Sequence, residues 1–345
     1  MSDDIELYDE VDLIKKMTRD LKKSSSSLKK PEVRFLVDAY YRMQEKRIQY
    51  ASQIRTMKEF GEPHELLTWF YTQAHTLEKQ IAGALDAYST SNKVGQWMRS
   101  IPGIGPVIAA GFMAHLDIAP WRCHNVGLKG KKNLPCTAEK GACTDNCGHE
   151  PINYAGQWHT FAGMNPRIQW EKKTRRPWNT ALKTLCYKLG ESFVKVQNHK
   201  DDFYGQIFVA RKSQEWERNF NGENAKAAEL ALKKNIGKNT NAYKWYSGAV
   251  ASDWARSEWE SDKKGQKFGG ATLPKKAIVE DGTPMLPPAH IHARARRYVA
   301  KLFLFHLHQV MWEVEQGESP PPQAFFQDSE NIIEVPTVFP NSPFV

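Results

Sequence analysis

The sequence SIPGIGPVIAA, which spans Ser100–Ala110, predicts two short helices joined by a tight turn. Glycine adopts positive φ at little cost, so Gly103 and Gly105 suit such a turn and let the backbone approach another molecule closely. Pro106 suits the first turn of the second helix, because its missing N–H group is not needed there. The N–H groups at that helix start form a natural phosphate site. We take Gly103, Ile104 and Gly105 as candidate DNA-contacting residues; the alternative is an ordinary turn between buried helices.

The charge balance favours a polyanionic partner. The chain of 345 residues has 48 basic and 39 acidic side chains, a net charge of +9, and its pI is about 9.1. It lacks a run of about 18 apolar residues, so we expect no transmembrane helix and no membrane partner. The acidic N-terminus has no apolar core and does not resemble a signal peptide. We therefore expect a cytoplasmic, nucleoid-associated protein.

Apolar periodicity predicts helices along most of the chain and almost no strands, so the expected fold class is mainly α. We expect a helical hairpin followed by a helix-hairpin-helix domain with a Cys-rich loop. The predicted segments are a flexible N-terminal segment (1–31), an antiparallel helical hairpin (32–92), a domain (93–220) with a Cys-rich insertion (121–153), a polar insertion (221–286), a closing helix of the same domain (287–317) and a Pro-rich tail (318–345).

The helical hairpin is a candidate dimerisation arm. Gly61 and Pro63 separate its two helices, and a short loop between long amphipathic helices predicts antiparallel packing. The second helix carries one apolar stripe, formed by Leu66, Leu67, Phe70, Ala74, Leu77 and Ile81. A homodimer through this hairpin is one interpretation. The other is an ordinary helical pair that packs on the rest of the protein.

The Cys-rich insertion is a candidate zinc site. Four cysteines lie close together in it: Cys123, Cys136, Cys143 and Cys147. In a reducing compartment such a group is more typical of a metal site than of disulfides. Zinc favours four nitrogen or sulfur ligands, and it would stabilise a loop with little apolar content. We predict a structural zinc ion held by these cysteines, with His149 as an alternative ligand. The other interpretation is a set of unrelated thiols, while Cys186 fits a helix core.

Two further segments combine basic and aromatic or small residues. The first, 163–178, carries two tryptophans and five basic residues: Arg167, Lys172, Lys173, Arg175 and Arg176. Basic side chains neutralise phosphates and an indole ring stacks on bases, so this segment is a candidate DNA-binding loop. The alternative is a solvated run of charge above buried tryptophans.

The second segment begins the closing helix. On a helix, the spacing of His290, Arg294, Arg297 and Lys301 puts these four residues on one face. We predict that this basic ridge contacts DNA, with Ala293 and Ala295 permitting close approach. Simple surface charge is the alternative. A metal site at His290 and His292 is disfavoured, because residues two apart do not share a helix face.

In this order, three segments resemble the C-terminal domain of Piv/MooV-type insertion-sequence transposases and DNA invertases. The segments are Ile101–Ala110, Trp158–Pro166 and His290–Met311, and the resemblance extends over about 93–312. It implies DNA binding and a role in transposition or recombination. Full members have an N-terminal RNase H-like nuclease domain, where this chain has two predicted helices. They also carry a catalytic serine after the Gly-x-x-Pro motif, where this chain reads QWEKK followed by Thr174.

The resemblance therefore implies DNA binding more directly than catalysis, and no catalytic residue is assigned. The leading interpretation is a helical DNA-binding protein that contacts mainly phosphates. The alternatives are an active transposase with an unrecognised nucleophile or a partner-supplied nuclease domain, a branched-DNA or RNA binder, and a helical scaffold with a zinc clip that binds no nucleic acid.

Overall fold

A computed structural model describes much of the chain. The described residues are 16–61, 64–122, 148–149, 151–168, 170–233, 236–237, 239–240, 242, 245–246, 284–321 and 335–336. Across these residues the protein is mainly helical, which confirms the predicted fold class.

Within the described residues, the helices are α1 (Arg19–Ser24), α2 (Lys30–Lys58), α3 (Glu65–Ser89), α4 (Lys93–Ser100), α5 (Pro106–His115), α6 (Ala155–Phe161), α7 (Thr180–Lys195), α8 (Phe203–Phe220), α9 (Ala225–Leu232) and α10 (Pro288–Gln316). A 3-10 turn (Ser25–Ser27) follows α1. Two short strands, β1 (Trp121–Arg122) and β2 (Gly148–His149), pair in antiparallel register, with Trp121 opposite His149 and Arg122 opposite Gly148.

Residue contacts divide the chain into two compact units. The first contains Met1–Cys186 and Leu304–Val345, and the second contains Tyr187–Phe303. Each boundary falls inside a helix, within α7 and within α10.

In the first unit, α2 and α3 pack as an antiparallel pair. Arg47 donates to the buried Glu78 across the pair at 2.6 Å, and Tyr50 meets Phe70 nearer the connecting loop. The buried stripe of α3 differs from the predicted one, because Leu66 and Phe70 are 53% and 43% exposed. Ala74 and Ile81 of the predicted stripe are buried, together with Tyr71, Glu78 and Leu85, which the prediction did not include. Periodicity of apolar residues does not mark Glu78, because this buried glutamate is paired with Arg47.

The rest of the first unit packs around α4 and α5. The buried Trp97 on α4 donates from its indole Nε1 to the carbonyl oxygen of Pro336 at 3.2 Å, so the tail returns to this helix. Trp158 on α6 is buried and lies edge-on to His308, with ring centroids 5.0 Å apart. Cys186 is buried, as expected for a core residue, and burial raises its thiol pKa to about 12.

The second unit has a core of its own. Buried Trp216, Phe220 and Ala228 pack with residues from the segment predicted as a polar insertion, namely Trp245, Tyr246, Met285 and Leu286. The amide of Asn219 bonds both backbone groups of Leu286, at 3.0 and 2.9 Å. The described parts of 221–286 therefore build core, which its overall polarity had concealed.

Candidate nucleic-acid interface

The turn between α4 and α5 takes a defined shape. Pro102 and Gly103 occupy its centre, Gly103 has φ +90°, and the N–H of Ile104 donates to the carbonyl of Ile101 at 3.0 Å. Proline followed by a positive-φ glycine is the pattern of a type II turn. Arg99 braces the turn, since it donates to the carbonyl of Ile104 at 2.9 Å and to Asp86 on α3 at 3.0 Å.

Ile104 and Gly105 differ in their exposure to a ligand. Ile104 is only 3% exposed, so its side chain belongs to the core and only its backbone is left for contact. Gly105 is extended (φ −82°, ψ 174°) rather than at positive φ, and precedes α5 without a side-chain cap. A Cβ atom at Gly105 would meet nothing within 4 Å. The start of α5 is therefore open to close approach, as an anion site requires.

The loop that contains 163–178, here called the basic loop, starts from a fixed helix end. Gly163 has φ +65°, and the N–H groups of Gly163 and Met164 donate to Thr160 and His159 at 3.0 and 2.8 Å. This is the Schellman pattern of helix ends. A Cβ atom at Gly163 would lie 2.6 Å from the indole of Trp178, so the two ends of the loop are packed together.

Hydrogen bonds also fix the middle of the basic loop. Trp170 donates from its indole Nε1 to the carbonyl oxygen of Thr174 at 2.9 Å, and the Thr174 hydroxyl donates to the carbonyl of Glu171 at 2.8 Å. Lys173, between them, has φ +78°. A non-glycine residue at positive φ costs of order 1 kcal/mol, and such residues cluster at functional sites. Trp170 is 38% exposed, so it is not buried beneath the charges.

All five basic side chains of the loop are exposed: Arg167, Lys172, Lys173, Arg175 and Arg176. Among the residues that the structure describes, none of the five forms an ion pair. Arg176 instead lies over the Trp170 ring, 5.3 Å from its centroid. The loop therefore presents its positive charge to solvent.

The basic ridge on α10 has different surroundings. Arg294 donates to Glu215 on α8 at 2.6 Å. Glu215 is only 1% exposed, and it also accepts from Arg211 at 2.6 Å and from Arg218 at 3.5 Å. Arg294 is thus paired with a buried carboxylate, so it is less available for the DNA contact predicted for it. Ala295 is buried as well, so it provides no surface for close approach.

The other ridge residues remain nearer the surface. His290 and Arg297 are exposed, and Lys301 is half-buried. Partial burial of the Arg297 guanidinium, with repulsion from Arg294 and Arg296, lowers the pKa of Arg297. Burial and repulsion from Arg297 likewise lower the pKa of Lys301. Both pKa shifts therefore come first from burial and second from neighbouring positive charge.

The structure places the turn and the basic loop in the first unit and the ridge in the second. In the first unit, the loop ends at Asn179, whose side-chain amide meets His115 Nδ1 at 3.2 Å at the far end of α5 from the turn. The ten residues of α5 separate its two ends by about 15 Å.

Burial and repulsion from Arg34 lower the pKa of His115 to about 4, so this histidine is neutral at pH 7 and adds no charge.

Sequence reasoning missed Glu215, which organises the cations of the second unit. Its spacing to Arg211 and Arg218, four and three residues, is typical of helical ion pairs and was a usable signal.

The predicted zinc ligands Cys123, Cys136, Cys143 and Cys147 lie outside the described residues, as does the side chain of His149. Within the described ranges, no group of three or more His, Cys, Asp or Glu side chains is arranged to hold a metal ion.

Comparisons with protein-family models, with curated proteins and with solved structures found no match to this chain. No helix in the described part of the chain is long and apolar enough to cross a membrane.

Proposed function

We propose that this protein binds DNA, mainly through phosphate contacts made by the basic loop. The observation that carries the proposal is the exposure of five loop cations that form no ion pair with any residue the structure describes. Basic side chains in this state can exchange condensed counterions for phosphates, and this exchange is the main source of affinity in non-specific binding.

The turn between α4 and α5 supports the same proposal. The uncapped start of α5 and the open space at Gly105 suit a phosphate group at the helix N-terminus. We assign backbone contact there to Gly103 and Gly105. Through the ridge, His290, Arg297 and Lys301 make a second set of phosphate contacts in the other unit, without Arg294.

A salt titration of duplex binding tests this proposal. The logarithm of the binding constant should fall linearly with the logarithm of salt concentration, by about 0.9 per phosphate contact. The double variant Arg175→Gln with Arg176→Gln should make that slope shallower by about two contacts. The matched control, Lys46→Gln with Lys58→Gln, removes two exposed lysines of α2 and should leave the slope unchanged.

Three results would contradict this proposal, and two of them would favour a different function. A slope near zero would exclude phosphate binding. Tighter binding to a four-way junction or to duplex RNA than to duplex DNA would favour a branched-DNA or RNA binder. Absence of binding to every probe would favour the helical scaffold.

The resemblance to Piv/MooV-type enzymes extends the proposal to a role in DNA transposition or recombination. We assign no catalytic residue. Thr174, which follows the position of the family's catalytic serine, donates its hydroxyl to the carbonyl oxygen of Glu171 and so stabilises the turn of the loop. Strand cleavage, or a covalent adduct between protein and DNA, would reveal an active transposase with a nucleophile of another kind.

We propose zinc as a structural ion of the Cys-rich insertion. The β1–β2 ladder brings Arg122 and Gly148 together and so closes the neck of this insertion. Metal analysis of the purified protein should find zinc, with less in Cys143→Ser. A parent protein without zinc would refute the assignment.

We propose that two copies associate through the α2–α3 hairpin. Near its tip lies a groove of about 230 Å³ lined by Tyr50, Gln53, Ile54, Leu67 and Phe70. Phe60, two residues beyond the end of α2, is 88% exposed. A two-fold interface pairs one patch with itself, so a projecting ring and a groove on the same tip can be mutually complementary.

Light scattering should give a dimer mass that Phe60→Ser reduces to a monomer mass. A monomeric parent protein would refute this.

A further inference from the structure

Trp170 is held in the basic loop with part of its ring accessible. Its Nε1–H donates to the carbonyl oxygen of Thr174 at 2.9 Å, which fixes the indole relative to the loop backbone. Arg176 lies over the ring at 5.3 Å from the centroid, and the residue is 38% exposed. An aromatic side chain in this state loses little conformational freedom when a ligand stacks on it.

The charges around this ring suit a nucleic-acid strand. Trp170 lies within six residues of Arg167, Lys172, Lys173, Arg175 and Arg176, all exposed. Proteins that hold single strands combine such charges, which follow the backbone, with aromatic rings on which bases stack. The positive φ of Lys173 shows that the loop retains a costly backbone conformation beside the ring.

We propose that Trp170 is a stacking platform for an unpaired nucleobase, so that the basic loop takes single-stranded nucleic acid in preference to duplex. In a duplex the bases stack on one another, and their faces are not available to an indole ring. This inference rests on the proposed phosphate contacts of the same loop and adds to them a substrate class.

Binding of a twelve-nucleotide oligo-dT and of a twelve-base-pair duplex, at one fixed salt concentration, tests the inference. Stacking on an aromatic ring contributes enough per base that Trp170→Ala should weaken oligo-dT binding by at least about fivefold. Duplex binding should change by less than about twofold. An oligo-U probe of the same length separates DNA from RNA as the source of the base.

Trp170→Phe distinguishes stacking from a structural role of the indole N–H. It keeps an aromatic ring but loses the hydrogen bond to Thr174, and should retain oligo-dT affinity to within about threefold. Phe35→Ala, which removes an exposed ring of α2, is the matched control and should change neither probe.

Failure of this inference is separable from failure of the proposed function. If Arg175→Gln with Arg176→Gln weakens both probes while Trp170→Ala weakens neither, or weakens both equally, stacking is wrong and phosphate binding stands. If the arginine variant changes neither probe, the loop does not bind nucleic acid and both proposals fall.

Discussion

Two basic regions of the molecule, the basic loop and the arginines of α8 and α10 in the second unit, hold most of their cations in different surroundings. The five loop cations are exposed and have no carboxylate partner among the described residues. In the second unit, Arg294 is bound to the buried Glu215, and Arg296 pairs with Glu191 while lying 3.9 Å over the Tyr187 ring. Arginines therefore form ion pairs within the second unit, whereas the arginines and lysines of the basic loop face solvent.

The difference follows from the cost of burying charge. A carboxylate as buried as Glu215 is tolerated only when partners compensate for its lost water, and three arginines do so here. Those arginines contribute to the fold and are less available to a ligand. The loop cations remain hydrated, contribute little to stability and are free to exchange counterions for phosphates. A variant that removes charge should consequently lower stability in one region and ligand affinity in the other.

The largest expected effect is that of Glu215→Ala. Loss of the charge-assisted hydrogen bonds from three arginines to Glu215 should lower the free energy of unfolding by about 1.5–3 kcal/mol. Urea denaturation measures the loss. The control is Glu217→Ala on the exposed side of the same helix, which should stay within about 0.5 kcal/mol of the parent. Equal effects of the two variants would contradict the distinction drawn between the regions.

Gly163→Ala should have the next largest effect, since it strains the anchor of the basic loop. A Cβ at this position is disfavoured by φ +65° and meets the Trp178 indole at 2.6 Å. We expect a loss of about 1–3 kcal/mol in stability together with weaker nucleic-acid binding. Gly156→Ala in α6 is the matched control, because a Cβ there meets nothing within 4 Å. Unaltered binding by a folded Gly163→Ala protein would show that the loop shape is not needed.

The smallest effect is expected at Arg297, where the two regions are most alike. Burial of this guanidinium lowers its pKa most, and repulsion from Arg294 and Arg296 lowers it further. Arg297→Gln should therefore raise stability slightly, by about 0.5 kcal/mol or less, while it weakens duplex binding. The gain should shrink in high salt, which screens repulsion between charges. Thermal unfolding at two salt concentrations checks this, and a loss of stability at low salt would contradict it.

Much of the local structure was predictable, because helix boundaries depend on nearby residues. The turn at Pro102 and Gly103 and the helices that flank it follow from the order of proline, glycine and apolar residues. The partner of Arg294 was not predictable in this way, because Glu215 lies 79 positions away and only folding brings the two together.

In the candidate site, too, residue types were predictable from the sequence and long-range or backbone geometry was not. The composition of 163–178 indicated a charged surface with aromatic rings, and the exposure of its five cations agrees with this. The bond from the Trp170 indole to Thr174 and the positive φ of Lys173 come from the backbone path, which residue types do not specify. In the second unit, Trp245 and Leu286 were missed as core residues because the segment around them is polar on average.

Because Arg122 pairs with Gly148, the backbone enters and leaves the Cys-rich insertion at neighbouring points. Its two ends meet as neighbours in an antiparallel ladder, and such ends can be joined by a two-residue turn such as Asn-Gly. Replacement of residues 123–147 by that dipeptide would leave the backbone bond from Ile152 to Ile118, at 2.7 Å, undisturbed. The pairing of Arg122 with Gly148 thus marks a position at which one segment could be exchanged for another while the described helices are kept.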